Sequence, residues 1–423
     1  MNKPKGTQDI YFDDQIIREY VEEILITVAK VNNFSKIETP IFERQEVFVK
    51  SVGETSDIVS KEMYSFADRK GRNMVLRPEG TAGVIRAVVE NKLFSLPTAL
   101  KFFYMGPMFR YERPQKGRRR QFDQFGIEML SEASPEADVE VILLAKQVLE
   151  IFKIEHKLVI NSLGDKTTRD NYSKGLREYL SDYKDQLTED SLNRLDKNPL
   201  RILDDKVDGK KDFVKKAPRI NEYYSKETKE YFDKVIQLLD DNEVEYEIDT
   251  ALVRGLDYYS DTSFEFISTS DQAGSQSTII GGGRYSNLVS SFGGPDLSGI
   301  GFGLGINRLE NELDREQIIK ARKPEPEVFV LNIDEQNTSL TLSLVSMLRK
   351  SGFVTEWNPK TLNFKKSFSY ANKYNPQVLI IPGEKELARG SVSIKFNGKQ
   401  EEVKIENIIE HIDGILGGND ENH

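Results

Sequence analysis

FRYERPQKGRRRQFDQFGIE (109–128) is the stretch on which the fold turns. Alternating apolar residues precede it in FFYMGPMFRYE (102–112) and continue after it in QFDQFGIEML (121–130), so two strands are expected with the charged loop RPQKGRRR (113–120) between them. The spacing predicts an antiparallel hairpin. Arg110, Arg113, Lys116, Arg118, Arg119 and Arg120 stand there against a single acid, Glu112. Guanidinium forks bind oxyanions bidentately, which makes the loop a candidate phosphate site, the alternative being a solvated charged hairpin. On the return strand Phe125, Ile127 and Met129 share one face and must be core. Gln124, Gly126 and Glu128 share the other: a polar residue, a gap and a carboxylate, suited to the floor of a small polar pocket unless that face is a solvent-facing edge.

Working outward, SGIGFGLGINR (298–308) has glycine at 299, 301, 303 and 305, so one strand face carries no side chains while Ile300, Phe302, Leu304 and Ile306 fill the other. The bare face offers a flat slot for a planar base, with Arg308 following to stack on it or bind phosphate; close packing is the alternative. No Rossmann fingerprint or phosphate-binding P-loop fits the chain, here or at GGGR (281–284). ALVRGLDYYSDTSFEF (251–266) sets Arg254, Asp257, Tyr258 and Tyr259 beside a glycine, the tyrosines being equally suited to a core. In RPEGT (77–81), Glu79 and Thr81 fall at a strand-to-helix turn, where either could line a site or cap the helix.

The remaining text supplies the organisation. Ile17, Tyr20, Ile24, Val28 and Val31 recur at helical spacing and predict a helix over 14–33; KIETP (36–40) reads as a short strand. Residues 167–245 are polar and helical in period, an expected insertion. EQIIKARKPEPE (316–327) reads as a linker. Beyond it, strands at 328–333, 353–357 and 378–383 alternate with helices at 338–350 and 365–374, predicting a small α/β module on a parallel sheet. Two domains are expected, 1–320 and 327–423.

Composition narrows the chemistry. The 423 residues are 38% hydrophobic and 30% charged, which suits packed cores rather than a disordered chain. There is no cysteine, so disulfides, thiol nucleophiles and zinc–thiolate sites are excluded; the histidines are His156, His411 and His423, and neither a histidine triad nor a protein metal site is expected. No leader or membrane span is legible, and a cytoplasmic protein is expected. The net charge of −10 argues weakly against nucleic-acid binding, but the arginine loop opposes that background.

With these residues in view, the chain resembles the class II aminoacyl-tRNA synthetases in their histidine-specific form. FRYERPQKGRRRQFDQFGIE (109–128) is similar to motif 2, GIGFGLGINRLE (299–310) to motif 3, and LVRGLDYY (252–259) and GGGRY (281–285) to two histidyl signatures; KPKGTQDI (3–10), RPEGT (77–81) and RLDKNPLRILDDK (194–206) also resemble the family. The likeness spans nearly the whole chain. It implies an α+β catalytic domain on an antiparallel sheet with a helical insertion, a C-terminal α/β anticodon-binding domain, and a homodimer built through motif 1 near 37–66. It implies ATP-dependent activation of L-histidine as the adenylate, with magnesium, and transfer to histidine tRNA. Arg110 would contact the α-phosphate of ATP, Arg118 the outer phosphates and Arg308 the triphosphate beside adenine. Glu79, Thr81 and Gln124 would hold the α-amino group; Glu128 and Tyr259, with Tyr258 in the same pocket, would read the imidazole. Arg254 would be the catalytic cation beside the reacting carboxylate, and Arg113 and Gln115 would face the tRNA acceptor end. No editing domain is expected, because a pocket hydrogen-bonding the imidazole rejects apolar isosteres by ~10⁴-fold. Three positions depart from the family pattern: Asn307 where Glu is common, Ser286 where Asp is common, and Asp261 where a basic residue is common. The alternatives are a non-catalytic synthetase-like regulatory subunit of histidine biosynthesis, a synthetase-like RNA sensor, and a class II enzyme for another amino acid.

Overall fold

Helix α1 (Asp13–Val31) forms where Ile17, Val21, Leu25 and Val28 make one apolar stripe, and all four are buried. The stripe is rotated from the expected one: Tyr20 and Ile24 only flank the core and Val31 is exposed. The helix stops at Asn32, whose side-chain amide donates to the Val28 carbonyl at 2.9 Å, and the chain turns through Asn33 in the left-handed region. In a computed structural model of the chain, residues 1–417 are described apart from 54–55, 97, 113–117, 204, 206, 253–257, 271–276 and 324. By its internal contacts the chain divides into Met1–Ile319 and Lys320–His423.

In the first unit, β1 (Ser35–Lys36) is shorter than KIETP suggested, because the chain leaves it for a second, three-stranded sheet. That sheet is β2 (Phe42–Arg44), β3 (Ser65–Ala67) and β4 (Asn73–Leu76), with α2 (Gln45–Val52) between the first two. Helix α3 (Thr81–Glu90) then leads into β5 (Leu100–Phe109) and β6 (Gln121–Ser131). These are the expected antiparallel hairpin, in register from Leu100 opposite Leu130 to Phe109 opposite Gln121. After α4 (Pro135–Ile151) and β7 (His156–Ser162) come α5 (Lys166–Ser181), α6 (Glu189–Lys197), α7 (Leu200–Leu203), α8 (Asp212–Lys215) and α9 (Lys226–Asp241), with no intervening strand among the described residues. Strands β8 (Glu247–Ile248), β9 (Ser260–Ser268) and β10 (Thr278–Tyr285), helix α10 (Leu288–Ser291) and strand β11 (Ser298–Gly305) follow, then α11 (Ile306–Glu310) and α12 (Arg315–Arg322). Helix α12 occupies residues expected to be linker. Asp314 caps it by accepting from the Gln317 backbone N–H, and Glu, Gln, Lys and Ala are good helix formers.

The large sheet runs β1-β5-β6-β11-β10-β9-β7-β8, antiparallel except at its two outermost pairs. One face carries Phe125, Ile127, Phe264, Phe266, Ile300, Phe302 and Leu304 and is covered by α1, α4 and α9. Arg18 of α1 is buried and ties three elements together, bonding Asp123 of β6 at 2.8 Å and Glu310 of α11 at 2.5 Å. The opposite face is left for the site, flanked by α3 through Val84, Ile85 and Val88. Gly126 lies there, and a Cβ at this position would come within 2.1 Å of Tyr104 Cζ. Gly126→Ala is therefore expected to destabilise the protein by about 1–3 kcal/mol through overpacking, read from the midpoint of denaturant unfolding.

The second unit carries β12 (Val328–Val330), α13 (Thr338–Lys350), β13 (Thr355–Trp357), α14 (Phe364–Ala371), β14 (Val378–Ile381), α15 (Glu384–Leu387), β15 (Ser391–Phe396), β16 (Lys399–Lys404) and α16 (Ile408–Gly417). Its sheet, β13-β12-β14-β15-β16, is parallel over the first three strands, as expected, and antiparallel over the last two. The unexpected hairpin turns at Asn397-Gly398, both at positive φ, a two-residue turn whose sequence signal was legible.

Candidate active site

The site forms where α3 begins beside β5 and β6. Glu79 accepts from the backbone N–H of Thr81 at 2.7 Å and of Ala82 at 3.0 Å, so it caps the helix while also lining a cavity. Burial pushes its carboxyl up, opposed by those two N–H donors and by Arg110. The gap expected at Gly126 is occupied: the Tyr104 ring lies between Gly80 and Gly126. Glu128 lies beneath the cavity wall, 1% exposed, accepting from Thr81 Oγ1 at 2.5 Å and from the Tyr285 hydroxyl at 2.6 Å.

Burial without a cation in that pair of bonds pushes the Glu128 carboxyl up to about 8. The protonated form is then favoured by folding. Its contribution to stability is full below about 4.5 and is lost as pH rises through about 8. Glu128→Gln should abolish that part of the slope. Its melting temperature should gain on the unaltered protein's steadily across this window, and parallel curves would contradict the assignment.

The bare face of β11 is not an open slot along its length. Gly301 is covered by Glu128, Gly303 by Gln124 and Gly299 by the Tyr285 ring, so the missing side chains make room for those of neighbouring strands. Only Gly303 and Gly305 reach the cavity. The cavity measures about 490 Å³ and is bounded by both groups of expected residues. Glu79, Thr81, Gln124, Tyr258 and Tyr259 line it together with Arg110, Arg118 and Arg308. Gln124 Oε1 is buried with no hydrogen-bond partner among the described residues, and Gln124 lines the cavity. Tyr258 and Tyr259 stack obliquely with ring centroids 4.7 Å apart.

Arg110 is held by its Nε donating to the Pro78 carbonyl at 2.9 Å, and its guanidinium lies 5.2 Å from the centre of the Phe122 ring. Arg118 pairs with Glu112 at 3.1 Å. Arg308 donates to the Thr278 carbonyl at 2.7 Å, and burial together with neighbouring Arg118 and Arg110 pulls it below the usual guanidinium range. Three mutually repelling arginines in one cavity are an arrangement that a polyanion stabilises. Arg254, Arg113 and Gln115 lie outside the described residues.

The match to known proteins has the same extent. The family model for histidyl-tRNA synthetase matches residues 6–309, and that for an anticodon-binding domain matches 327–414. The chain belongs to the histidyl-tRNA synthetase family. A histidine–tRNA ligase of Lactiplantibacillus plantarum is 46% identical over 408 residues, covering 95% of this chain and 96% of its own. The Bacillus subtilis ligase is 43% identical over 412 residues, covering 96% and 97%. The crystal structure of apo Staphylococcus aureus histidyl-tRNA synthetase superposes with a TM-score of 0.83 at 32% identity, over 97% of this chain and 99% of that one. The class II catalytic fold and the separate C-terminal anticodon-binding fold are thereby shown, and the regulatory-subunit alternative has no better support.

Within a histidyl-tRNA synthetase the three departures have local explanations. Asn307 accepts from the Asp123 backbone N–H at 2.9 Å and donates to Glu310 at 3.3 Å, a clasp for which an amide is suited and a carboxylate is not. The other two departures meet each other: Ser286 Oγ donates to Asp261 at 3.2 Å and lies 2.8 Å from Ser260 Oγ. Where the family pattern would set an acid against a base, this chain sets a hydroxyl against an acid. Tyr104, Tyr285, Phe122 and Glu265 also belong to the site or its support; each stands within a stretch quoted above, but nothing in its local pattern marks it as a site residue.

Proposed function

We propose that this chain activates L-histidine with ATP and transfers it to the 3′ end of histidine tRNA. In the first step a histidine carboxylate oxygen attacks the α-phosphorus, forming the adenylate and releasing pyrophosphate. In the second a ribose hydroxyl of the tRNA attacks the adenylate carbonyl and AMP leaves. Both steps need charge neutralisation and alignment more than proton shuttling, so the lack of a nucleophilic cysteine or catalytic histidine is no obstacle.

The observation that carries this reading is one cavity holding Arg110, Arg118 and Arg308 together with a Gln124 Oε1 that has no partner among the described residues. Arg110 neutralises charge at the α-phosphate, Arg118 takes the outer phosphates and Arg308 the triphosphate beside adenine, with Phe122 as an aromatic face. Gln124, Glu79 and Thr81 hold the α-amino group. Tyr258, Tyr259 and the deeper Glu128 form the imidazole end, and Arg254 completes the catalytic pair with Arg110. Arg113 and Gln115 face the tRNA acceptor end. No cluster of three or more His, Cys, Asp or Glu exists among the described residues, but Glu112 and Glu265 line the cavity and would hold a magnesium ion bound with ATP, which would supply further charge neutralisation at the phosphates. Residues 327–423 serve the anticodon and 1–320 the chemistry, with 167–245 inserted. Two copies pair through the three-stranded sheet, where Ile41, Phe42 and Phe66 are exposed. Among the described residues no helix is long and apolar enough to cross a membrane, and the cytoplasm is the compartment that fits charging of tRNA. Attachment of labelled histidine to histidine tRNA tests the reading. ATP-dependent, acid-precipitable label supports it; a folded protein that leaves the tRNA uncharged would contradict it.

A further inference from the structure

The insertion begins where the chain leaves β7, and there it meets the segment that carries Tyr259. The pairing of β9 with β10 slips between Ser260, opposite Arg284, and Ser263, opposite Gly283, so Asp261 and Thr262 form a bulge with Asp261 in the left-handed region at φ 45°. A bulge beside a site re-aims the side chains next to it. This one is held by the residues that lead into the insertion: the Asp261 carbonyl accepts from the Leu163 N–H at 2.7 Å, and the Asp261 N–H donates to the Gly164 carbonyl at 3.2 Å. Asp165 then caps α5, accepting from the Thr168 N–H at 2.7 Å and from the Ser225 hydroxyl at 2.8 Å, which ties the starts of α5 and α9 together. One turn into α5, Arg169 Nη1 donates to the Tyr259 carbonyl at 3.2 Å. Tyr259 is buried and lines the active cavity, its ring against Gly283, where a Cβ would come within 2.9 Å of Tyr259 Cδ1. The Nε of Arg169 is buried without a hydrogen-bond partner among the described residues. A guanidinium that leaves one donor buried and unmatched is a poor stabiliser of a fold, and the bond that Arg169 does make goes to the backbone of a cavity residue.

We propose that Arg169 is a positioning residue for histidine, fixing the backbone at Tyr259 so that its ring keeps its place in the cavity wall, and that the insertion takes part in histidine binding through this bond. This rests on the histidine activation proposed above and names a residue outside the cavity on which it depends. Arg169 does not line the cavity, so its effect reaches the substrate through Tyr259.

The test is Arg169→Met, which keeps the length of the side chain and loses its donors, compared with the unaltered full chain in ATP–pyrophosphate exchange. Expected is a rise of about tenfold in KM for histidine, with KM for ATP and kcat held within about twofold. Arg169→Lys, whose ammonium still donates to a carbonyl, should recover most of that rise. On a Tyr259→Ala background Arg169→Met should add nothing further to KM for histidine, since a residue acting through another is not additive with it. An unchanged KM for histidine would overturn the proposal. So would an equal rise in KM for ATP, which would make Arg169 a residue of general structure, a lysine variant no better than the methionine one, or a full additional rise on the Tyr259→Ala background. Arg169→Ala is made alongside, so that either folded variant carries the test; failure of both to fold, read by circular dichroism, would assign Arg169 to stability alone and overturn the proposal too. No histidine-dependent exchange from the unaltered protein would overturn the activation itself, whereas normal exchange from it and from Arg169→Met alike would overturn only the role of Arg169.

Discussion

Arg110→Ala lowers kcat for histidine-dependent ATP–pyrophosphate exchange by about 10²–10³-fold, the cost of removing one positioned donor from developing negative charge. The magnitude follows from placement. The guanidinium is fixed by its bond to the Pro78 carbonyl and by the Phe122 ring, so it need not reorganise as charge moves to the α-phosphate. Arg110→Lys retains the charge and loses the fork, so it should recover only part of the rate. KM for histidine should change little, because Gln124, Thr81 and the tyrosines are untouched. An Arg110→Ala protein turning over at the unaltered rate would remove this residue from the chemistry.

The largest effect on stability belongs to a pair that touches no substrate. Arg284 and Asp138 are both fully buried; Arg284 Nε donates to Asp138 at 2.8 Å, and Asp138 also accepts from Thr262 at 2.5 Å and Tyr231 at 3.1 Å. Arg284→Met leaves that carboxylate without its cation and should cost about 3–5 kcal/mol. Asp138→Asn in the same protein should restore part of it, by removing the stranded charge. Unfolding is best followed by circular dichroism, since the single tryptophan, Trp357, lies in the C-terminal unit and reports on that unit. A loss within the range of ordinary surface substitutions would show that the pair is dispensable. Because Arg284 precedes Tyr285, which donates to Glu128, the same variant should also weaken histidine activation.

The hairpin at 102–130 could be read from the sequence because its two signals are local: alternation on both strands and a run of arginines between them. The composition of the cavity could be read for the same reason, since Glu79, Gln124 and Arg308 each sit in a short motif with a defined face. Its shape could not. The gap at Gly126 is filled by Tyr104 and the glycines of β11 are covered by Gln124, Glu128 and Tyr285, all contacts between separate strands that no periodicity within one strand reveals. The stripe of α1 was misplaced by a fraction of a turn because both candidate faces carry apolar residues, and packing against α4 and the sheet selects between them. Helix α12 was hidden by prolines that lie after it rather than within it. The Asn397-Gly398 hairpin carries its signal locally, an asparagine followed by glycine at the two turn positions.

A cavity built for histidine should activate histidine and no other amino acid. ATP–pyrophosphate exchange run with each of the twenty amino acids in turn tests it most directly. Exchange with histidine alone is predicted. Exchange with a different amino acid, or with none from a folded protein, would contradict it.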